Sequence, residues 1–382
     1  MNDEVGATGA YASGTIGAAS SLVGGLRLPA DKSVAHRALL FNAMAEGEAE
    51  VTVARPGEDV LSMAHVLQAL GAVESISDGP AGCTRVRLHG GGTRKAAVLP
   101  GSGGETLDCG NAGTAMRLLI GALSGRPGRA TLVGDESLSG RPMERVAAPL
   151  RTVGARIATE NGHAPIVVEG SRGLVATEHE LPVASAQVIG ALTLAGLAAK
   201  GTTTITSPGP TRDHTERMLA WLGAPVRREG YVTTVDGPIG FAARTIDVPG
   251  DISGAAAWLV AGALHPDAHI VIEEVGLNPS RTGIIDVLRD MGADIKVASD
   301  GPTEWCPEPV GTITVSGGQP LQAIDLSGDR VADVIDELPL IAMAMAAAEG
   351  TSTPVSYTHL TLPTTIGWWW WGWWGGGGGG GG

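Results

Sequence analysis

One hydrophobic pattern returns along the chain: an apolar stripe at helical spacing, then Gly-Ala, then a β-branched run. It reads Val66-Leu67-Gln68-Ala69-Leu70-Gly71-Ala72, then Leu150-Arg151-Thr152-Val153-Gly154-Ala155. It returns as Met218-Leu219-Ala220-Trp221-Leu222-Gly223-Ala224 and as Val287-Leu288-Arg289-Asp290-Met291-Gly292-Ala293. The four glycines are spaced by 83, 69 and 69 residues. A glycine after a helical stripe supplies the left-handed turn that sends the chain back as a strand. Between the helices lie strand-like runs at 51–53, 84–88, 202–205, 245–248 and 269–272, with Leu26-Arg27-Leu28-Pro29 before the first helix. Further Ala/Leu-rich helices are predicted after Asn111 and Ser185 and near Ser253. Helices and strands mix throughout, so the class is α/β or α+β built from a repeated unit of two helices and several strands. The period is too long for a solenoid.

The C-terminal end departs from this pattern. From Trp368 to Gly382 every residue is Trp or Gly. Trp is encoded by TGG and Gly by GGG, so the run reads as a translated G-homopolymer. Residues 355–365 resemble a translated sequencing adapter. Everything after about Thr353 is therefore expected to be non-biological and no part of the fold. The remaining length suggests two domains, with a boundary near Asp247-Val248-Pro249-Gly250 and the first strand belonging to the second domain.

Composition narrows the function. The formal charge is −14 and the isoelectric point about 5.1. An acidic chain is a poor general nucleic-acid binder, so anionic substrates would need local Lys and Arg. Cys83, Cys109 and Cys306 offer neither a disulfide framework nor a zinc site. No apolar run of about 18 residues suggests a membrane span, and no secretory signal is present. A cytoplasmic protein is expected.

Candidate chemistry gathers where loops turn into helices. Asp31-Lys32-Ser33-Val34-Ala35-His36-Arg37 puts an amine, a hydroxyl and a guanidinium around a helix N-terminus, whose free N–H groups favour an anion. An ordinary capped helix with a solvated basic face reads equally well. Asp108-Cys109-Gly110-Asn111-Ala112-Gly113-Thr114-Ala115-Met116-Arg117 suggests a capping Asn and a glycine where a ligand approaches the backbone. Arg141 precedes a helix in Ser139-Gly140-Arg141-Pro142-Met143, as Arg212 does in Thr211-Arg212-Asp213-His214-Thr215, where Asp213 could simply be the cap. Ser185-Ala186-Gln187 opens an apolar helix and could likewise be a plain cap. Asp336-Glu337 precede a long Ala/Met/Leu helix, as cap acids or as a general base facing a cleft. His36, His65 and His214 lack metal-ligand spacing, and Cys109 reads as a small buried residue. No dinucleotide fingerprint, P-loop or nucleophile elbow occurs. Together these helix starts favour a cleft for a small, multiply anionic substrate.

Six motifs in order, Asp-Lys-Ser-x-x-His-Arg (31–37), Gly-Asn-Ala-Gly-Thr-Ala-Met-Arg (110–117), Arg-Pro-Met (141–143), Ser-Ala-Gln (185–187), Thr-Arg-Asp-His-Thr (211–215) and Asp-Glu-Leu-Pro (336–339), make the chain resemble the 5-enolpyruvylshikimate-3-phosphate synthase family. The resemblance implies a two-domain enolpyruvyl transferase fold, each domain three βαβαββ units arranged as an inside-out α/β barrel, closing on the substrates. It implies transfer of enolpyruvyl from phosphoenolpyruvate to the 5-hydroxyl of shikimate 3-phosphate, without metal or organic cofactor, by a monomer with no nucleic-acid or membrane partner. Carried over by position, Lys32 contacts both substrates and aids protonation. Ser33, Arg37, Ser185, Ala186, Gln187 and Arg212 hold shikimate 3-phosphate. Asn111, Gly113, Arg141 and Gln187 line the phosphoenolpyruvate site. Asp336 binds shikimate 3-phosphate and takes the hydroxyl proton. Gly113 leaves room beside phosphoenolpyruvate, so sensitivity to glyphosate is expected.

The expected organisation is a mobile arm at 1–20, one domain at 31–246, a second and incomplete domain from 21–30 with 247–353, and an artefactual tail at 354–382. The family's later Lys-Glu-Ser-Asp-Arg-like segment and a further Arg and Lys are absent, so the chain as written is expected to be inactive. Two alternatives stand beside this reading. The sister transferase acting on UDP-N-acetylglucosamine uses a mobile-loop Cys and lacks Asp-Lys-Ser-x-x-His-Arg. A non-catalytic anion-binding protein of the same fold is the other.

Overall fold

The computed structural model describes residues 19–354 except positions 94 and 102. The expected arm, up to residue 18, and the expected tail, from residue 355, lie outside the described residues. Within them one βαβαββ order occurs four times. The first unit is β1 (Leu22–Arg27), α1 (Lys32–Met44), β2 (Glu48–Ala54), α2 (Glu58–Ala69), β3 (Val73–Asp78) and β4 (Cys83–His89). The second is β5 (Glu105–Asp108), α3 (Gly113–Ser124), β6 (Gly128–Val133), the short α4 (Glu136–Ser139), α5 (Glu144–Thr152), β7 (Arg156–Glu160) and β8 (His163–Gly170). The third is β9 (Glu178–Glu180), α6 (Ala186–Gly196), β10 (Gly201–Thr206), α7 (His214–Trp221), β11 (Val226–Glu229) and β12 (Val232–Gly237). The fourth is β13 (Ile246–Asp247), α8 (Ile252–Leu264), β14 (Ala268–Gly276), α9 (Gly283–Asp290), β15 (Asp294–Pro302) and β16 (Pro309–Ser316). A fifth sequence then begins with β17 (Asp325–Leu326), α10 (Asp329–Asp333), α11 (Leu338–Ala347) and β18 (Thr353–Pro354), the last strand lying parallel to β17.

Two glycine sets write this repeat into the backbone. Gly71, Gly154, Gly223 and Gly292 end the second helix of their units at φ of 80, 95, 89 and 99°, where a β-carbon is strained. Gly90, Gly170, Gly237 and Gly317 lie where the last strand passes the end of the first helix. A β-carbon on them would fall 2.1, 1.8, 2.2 and 1.8 Å from the carbonyl oxygens of Ala45, Arg126, Gly196 and His265. No other residue fits there.

The units do not all keep their own strands. The second and third form the sheets β5-β6-β8-β7 and β11-β12-β10-β9. The first and fourth exchange first strands, giving β13-β2-β4-β3 and β1-β14-β16-β15, with β13 parallel to β2 and β1 parallel to β14. Among the described residues none of these sheets closes on itself; they pack as separate sheets against central helices, in keeping with the expected fold. Strand burial alternates, as in β2 and β10, because one face packs on helices and the other meets solvent. One hydrophobic core holds residues from Val34 to Val248 around α1, α3 and α6. The other holds Leu28 and residues from Ile252 to Met345 around α8, α9 and α11.

The strand exchange makes the chain cross between the cores twice, and the crossings pair. Ala30 bridges Gly250, Asp31 N donates to Pro249 O at 2.8 Å, and Asp251 N donates to Pro29 O at 3.0 Å. Each crossing reads Pro-x-Asp-x-Ser, at 29–33 and 249–253. Asp31 caps α1 through Val34 N, and Asp251 caps α8 through Ser253 N, both at 2.9 Å. Arg281 serves both carboxylates, 3.7 Å from Asp31 and 3.3 Å from Asp251, and donates to Ser253 Oγ at 2.6 Å.

Candidate active site

Every candidate residue lies at or just before the start of a helix, α1, α3, α5, α6, α7 or α11, except Arg37 in the second turn of α1. The α1 start corrects the sequence expectation. Lys32, Ser33 and the helix terminus do not converge on one open spot, because Asp31 already occupies the terminus. Burial works to raise the Asp31 carboxyl, but Arg281 and His214 outweigh it and hold it below its ordinary value. Lys32 pairs with Asp59 at 3.0 Å. Arg37 is buried, donating to Thr215 Oγ1 at 2.8 Å and to its own helix at Ser33 O. His36 is a core residue whose Nε2 bonds Asp59 O at 3.0 Å. Burial drives its pKa down to about 4, so it is neutral at pH 7.

The α3 start holds a second correction. Asn111 does not cap the helix. The cap position is Ala112, with no side-chain bond. Asn111 instead donates to Asp135 at 2.7 Å and accepts a short bond from Arg141. More distant charged partners thus outcompete the local cap and leave the α3 N-terminus without a side-chain acceptor. Gly113 lies between two guanidinium groups: a β-carbon there would be 3.0 Å from an Nη of Arg117 and 3.0 Å from an Nη of Arg141. Gln187 ties α6 to this corner by donating to Thr114 Oγ1 at 3.1 Å, and its own Oε1 is buried without a partner. Ser185 caps α6 through Val188 N at 3.4 Å.

The α7 and α11 starts meet across the two cores. Arg212 and Asp336 form a short ion pair. Burial pushes the Asp336 carboxyl up, but Arg212, with Arg281 and Lys32 beyond it, outweighs burial and keeps it below its usual value. Neither Asp336 nor Glu337 caps α11; Glu337 accepts from Ser253 Oγ. Asp213 does not cap α7 either, because its carboxylate holds Arg217 at 2.8 Å and Asn278 at 2.9 Å. His214 bonds the buried Glu308 at 2.8 Å, and Asn278 bonds the other Glu308 oxygen at 2.7 Å.

The structure thus gathers the candidates into two groups. Asn111, Gly113, Arg141 and Gln187 form a cationic corner. Lys32, Arg212 and Asp336 form a mixed-charge group between the cores. Sequence reasoning missed Arg117, Arg281 and Glu308. Arg117 carried a readable signal, since it follows Gly113 by four residues and so shares its helix face. Arg281 and Glu308 carried none, because their partners are distant in the chain. Among the described residues no three His, Cys, Asp or Glu converge as a metal site.

Comparison with known proteins sets this geometry in context. The family model described as EPSP synthase (3-phosphoshikimate 1-carboxyvinyltransferase) matches residues 16–363, running past Thr353 into residues read above as artefact. The chain is 45% identical over 335 residues to a 3-phosphoshikimate 1-carboxyvinyltransferase of Gloeobacter violaceus, covering 87% of this chain and 75% of that protein. It is 43% identical over 338 residues to the enzyme of that name from Bacillus licheniformis, covering 88% and 76%. It is similar to the solved EPSP synthase of Acinetobacter baumannii, with a TM-score of 0.78 and 40% identity, covering 87% of this chain and 73% of that one.

Proposed function

The chain belongs to the EPSP synthase family, and we propose on that premise that its helix starts form the site where enolpyruvyl passes from phosphoenolpyruvate to the 5-hydroxyl of shikimate 3-phosphate. The reaction is an addition followed by an elimination. The hydroxyl oxygen bonds to C2 of phosphoenolpyruvate as C3 gains a proton, giving a tetrahedral ketal. Loss of a methyl proton and of phosphate then restores the double bond.

The observation that carries this reading is the Arg212–Asp336 pair. It sets a carboxylate of one core among the cationic helix starts of the other. In our reading Arg212 swings to the shikimate phosphate, with Ser33, Ser185, Ala186 and Gln187 around it, and frees Asp336 to accept the 5-hydroxyl proton. A carboxyl held below its usual pKa is ionised at pH 7 and so is a competent acceptor. Lys32, close enough to influence Asp336, contacts both substrates and supports the proton reaching C3. Arg37 acts from beneath, through Thr215 and the α1 backbone. Asn111, Gly113, Arg141 and Gln187 hold phosphoenolpyruvate, and the space beside Gly113 underlies the expected sensitivity to glyphosate. We read the two cores as two domains that close on the substrates, and the protein as a cytoplasmic monomer. Among the described residues no helix is long and apolar enough to cross a membrane.

The sister reaction on UDP-N-acetylglucosamine is not favoured. It needs a reactive thiol, whereas burial pushes Cys109 and Cys306 up to about 12, and Cys83 sits within β4. Calorimetric titration separates the two readings. Shikimate 3-phosphate should bind saturably and UDP-N-acetylglucosamine should not; the reverse order would reject the proposal.

A further inference from the structure

Four arginines are buried among the described residues: Arg37, Arg117, Arg126 and Arg281. Three have partners. Arg37 bonds Thr215 and Ser33 O, Arg126 pairs with Glu105 at 2.7 Å, and Arg281 holds Asp31 and Asp251. Arg117 is different. It is only 8% exposed, and its Nε is buried without a hydrogen-bond partner. Burial first, then the positive charges of Arg145 and Arg141, pull its pKa down to about 10. A buried cation beside other cations is costly unless something anionic joins it.

The side chain meets Arg141 at Gly113. One Arg117 Nη and one Arg141 Nη each lie 3.0 Å from the point where a β-carbon of Gly113 would stand. The two nitrogens are therefore within the span of a single carboxylate or phosphate. Beside them the α3 N-terminus lacks a side-chain cap, and such a terminus favours negative charge. Leu138 closes the same corner, with a methyl 3.5 Å from that point.

We propose that Arg117 directly holds an anionic group of the substrate, forming with Arg141 a two-guanidinium clamp beside Gly113. The ligand chemistry is a phosphate or carboxylate. The inference rests on reading this corner as the phosphoenolpyruvate site, and adds a binding residue to it. The buried Nε of Arg117 finds no partner in the protein, which leaves its hydrogen-bonding capacity to an anion.

Thermal melting of the whole chain with Arg117→Met and Arg141→Met, with and without phosphoenolpyruvate or inorganic phosphate, tests the idea. Without ligand, Arg117→Met should melt higher, by roughly 2–4 °C, since a buried unpaired charge is gone. Its apparent affinity for phosphoenolpyruvate should fall at least about tenfold, the scale of a charge-assisted hydrogen bond. Arg117→Lys keeps the charge without the planar fork; it should melt near the unaltered protein and still lose affinity. Lower melting of Arg117→Met with undiminished affinity would make the residue structural and overturn the proposal. Affinity unchanged in Arg117→Lys would overturn the clamp. If Arg141→Met loses affinity and Arg117→Met does not, the Arg117 proposal fails while the site reading stands. If neither variant changes the response to phosphoenolpyruvate, the site reading itself fails.

Discussion

Helices α3 and α11 hold corresponding places in their units, as the first long helix after the first strand (α11 follows the five-residue α10), and both are almost wholly apolar. Yet α3 buries eleven of its twelve residues and α11 three of its ten. Their neighbours explain the difference. Helix α3 is enclosed by α1, α2, α5 and α6, whereas among the described residues α11 packs mainly on α8 and α9. The open side of that second group carries Met343 at 59% exposure, Trp258 at 42% and Leu264 at 37%. The same unit thus yields a closed core where three first helices pack together and a half-open one where two do. Apolar sequence permits burial; the number of packed neighbours decides it.

The largest effect should come at the crossings that join the two cores. Arg281→Met removes the cation shared by Asp31 and Asp251, leaving the buried Asp31 and half-buried Asp251 carboxylates without their partner, at a cost of ~3–5 kcal/mol. Scanning calorimetry should then resolve two transitions. A single transition at an unchanged temperature would mean the crossings do not couple the cores.

Within the closed core, Leu119→Ala on α3 removes a fully buried side chain and should lower stability by ~2–5 kcal/mol in urea titration. A cost under ~1 kcal/mol would mean the core is less tightly packed than its burial suggests.

His36 offers a pH probe of the same core. Its folded pKa of about 4 lies below the ordinary 6.5. The unfolded chain therefore takes up the proton first. The stabilisation is full above pH 6.5 and is lost as pH falls through 4, amounting to up to ~3 kcal/mol. His36→Gln should flatten the acid side of the urea midpoint profile. An unchanged acid slope would contradict a neutral, buried His36.

The smallest effect belongs to the open side. Met343→Ser should alter stability by no more than ~0.5 kcal/mol. A cost near that of Leu119→Ala would show that the face is covered in solution and would break the comparison.

Part of this was legible in the sequence. The repeat could be read because Gly71, Gly154, Gly223 and Gly292 punctuate it with a local conformational demand. The sequence points the first strand to the second domain but not to its partner, since β1 pairs with a strand some 246 residues away and no local signal selects β14 over β2. At the site, residue types announced the chemistry but not the pairing. Asn111 and Asp213 look like helix caps, and would be, were Arg141, Asp135, Arg217 and Asn278 not within reach. Arg117 stood in a motif already singled out, but its lack of a partner is a tertiary fact.

In the function proposed above, one core grips the substrate anion while the other brings the carboxylate. Calorimetric titration of shikimate 3-phosphate into the unaltered chain, Arg212→Met and Asp336→Asn tests it most directly. Expected is saturable one-site binding, weakened at least ~10-fold by Arg212→Met and little changed by Asp336→Asn, which frees Arg212 from its competitor. Binding indifferent to Arg212→Met, or abolished equally by both substitutions, would contradict it.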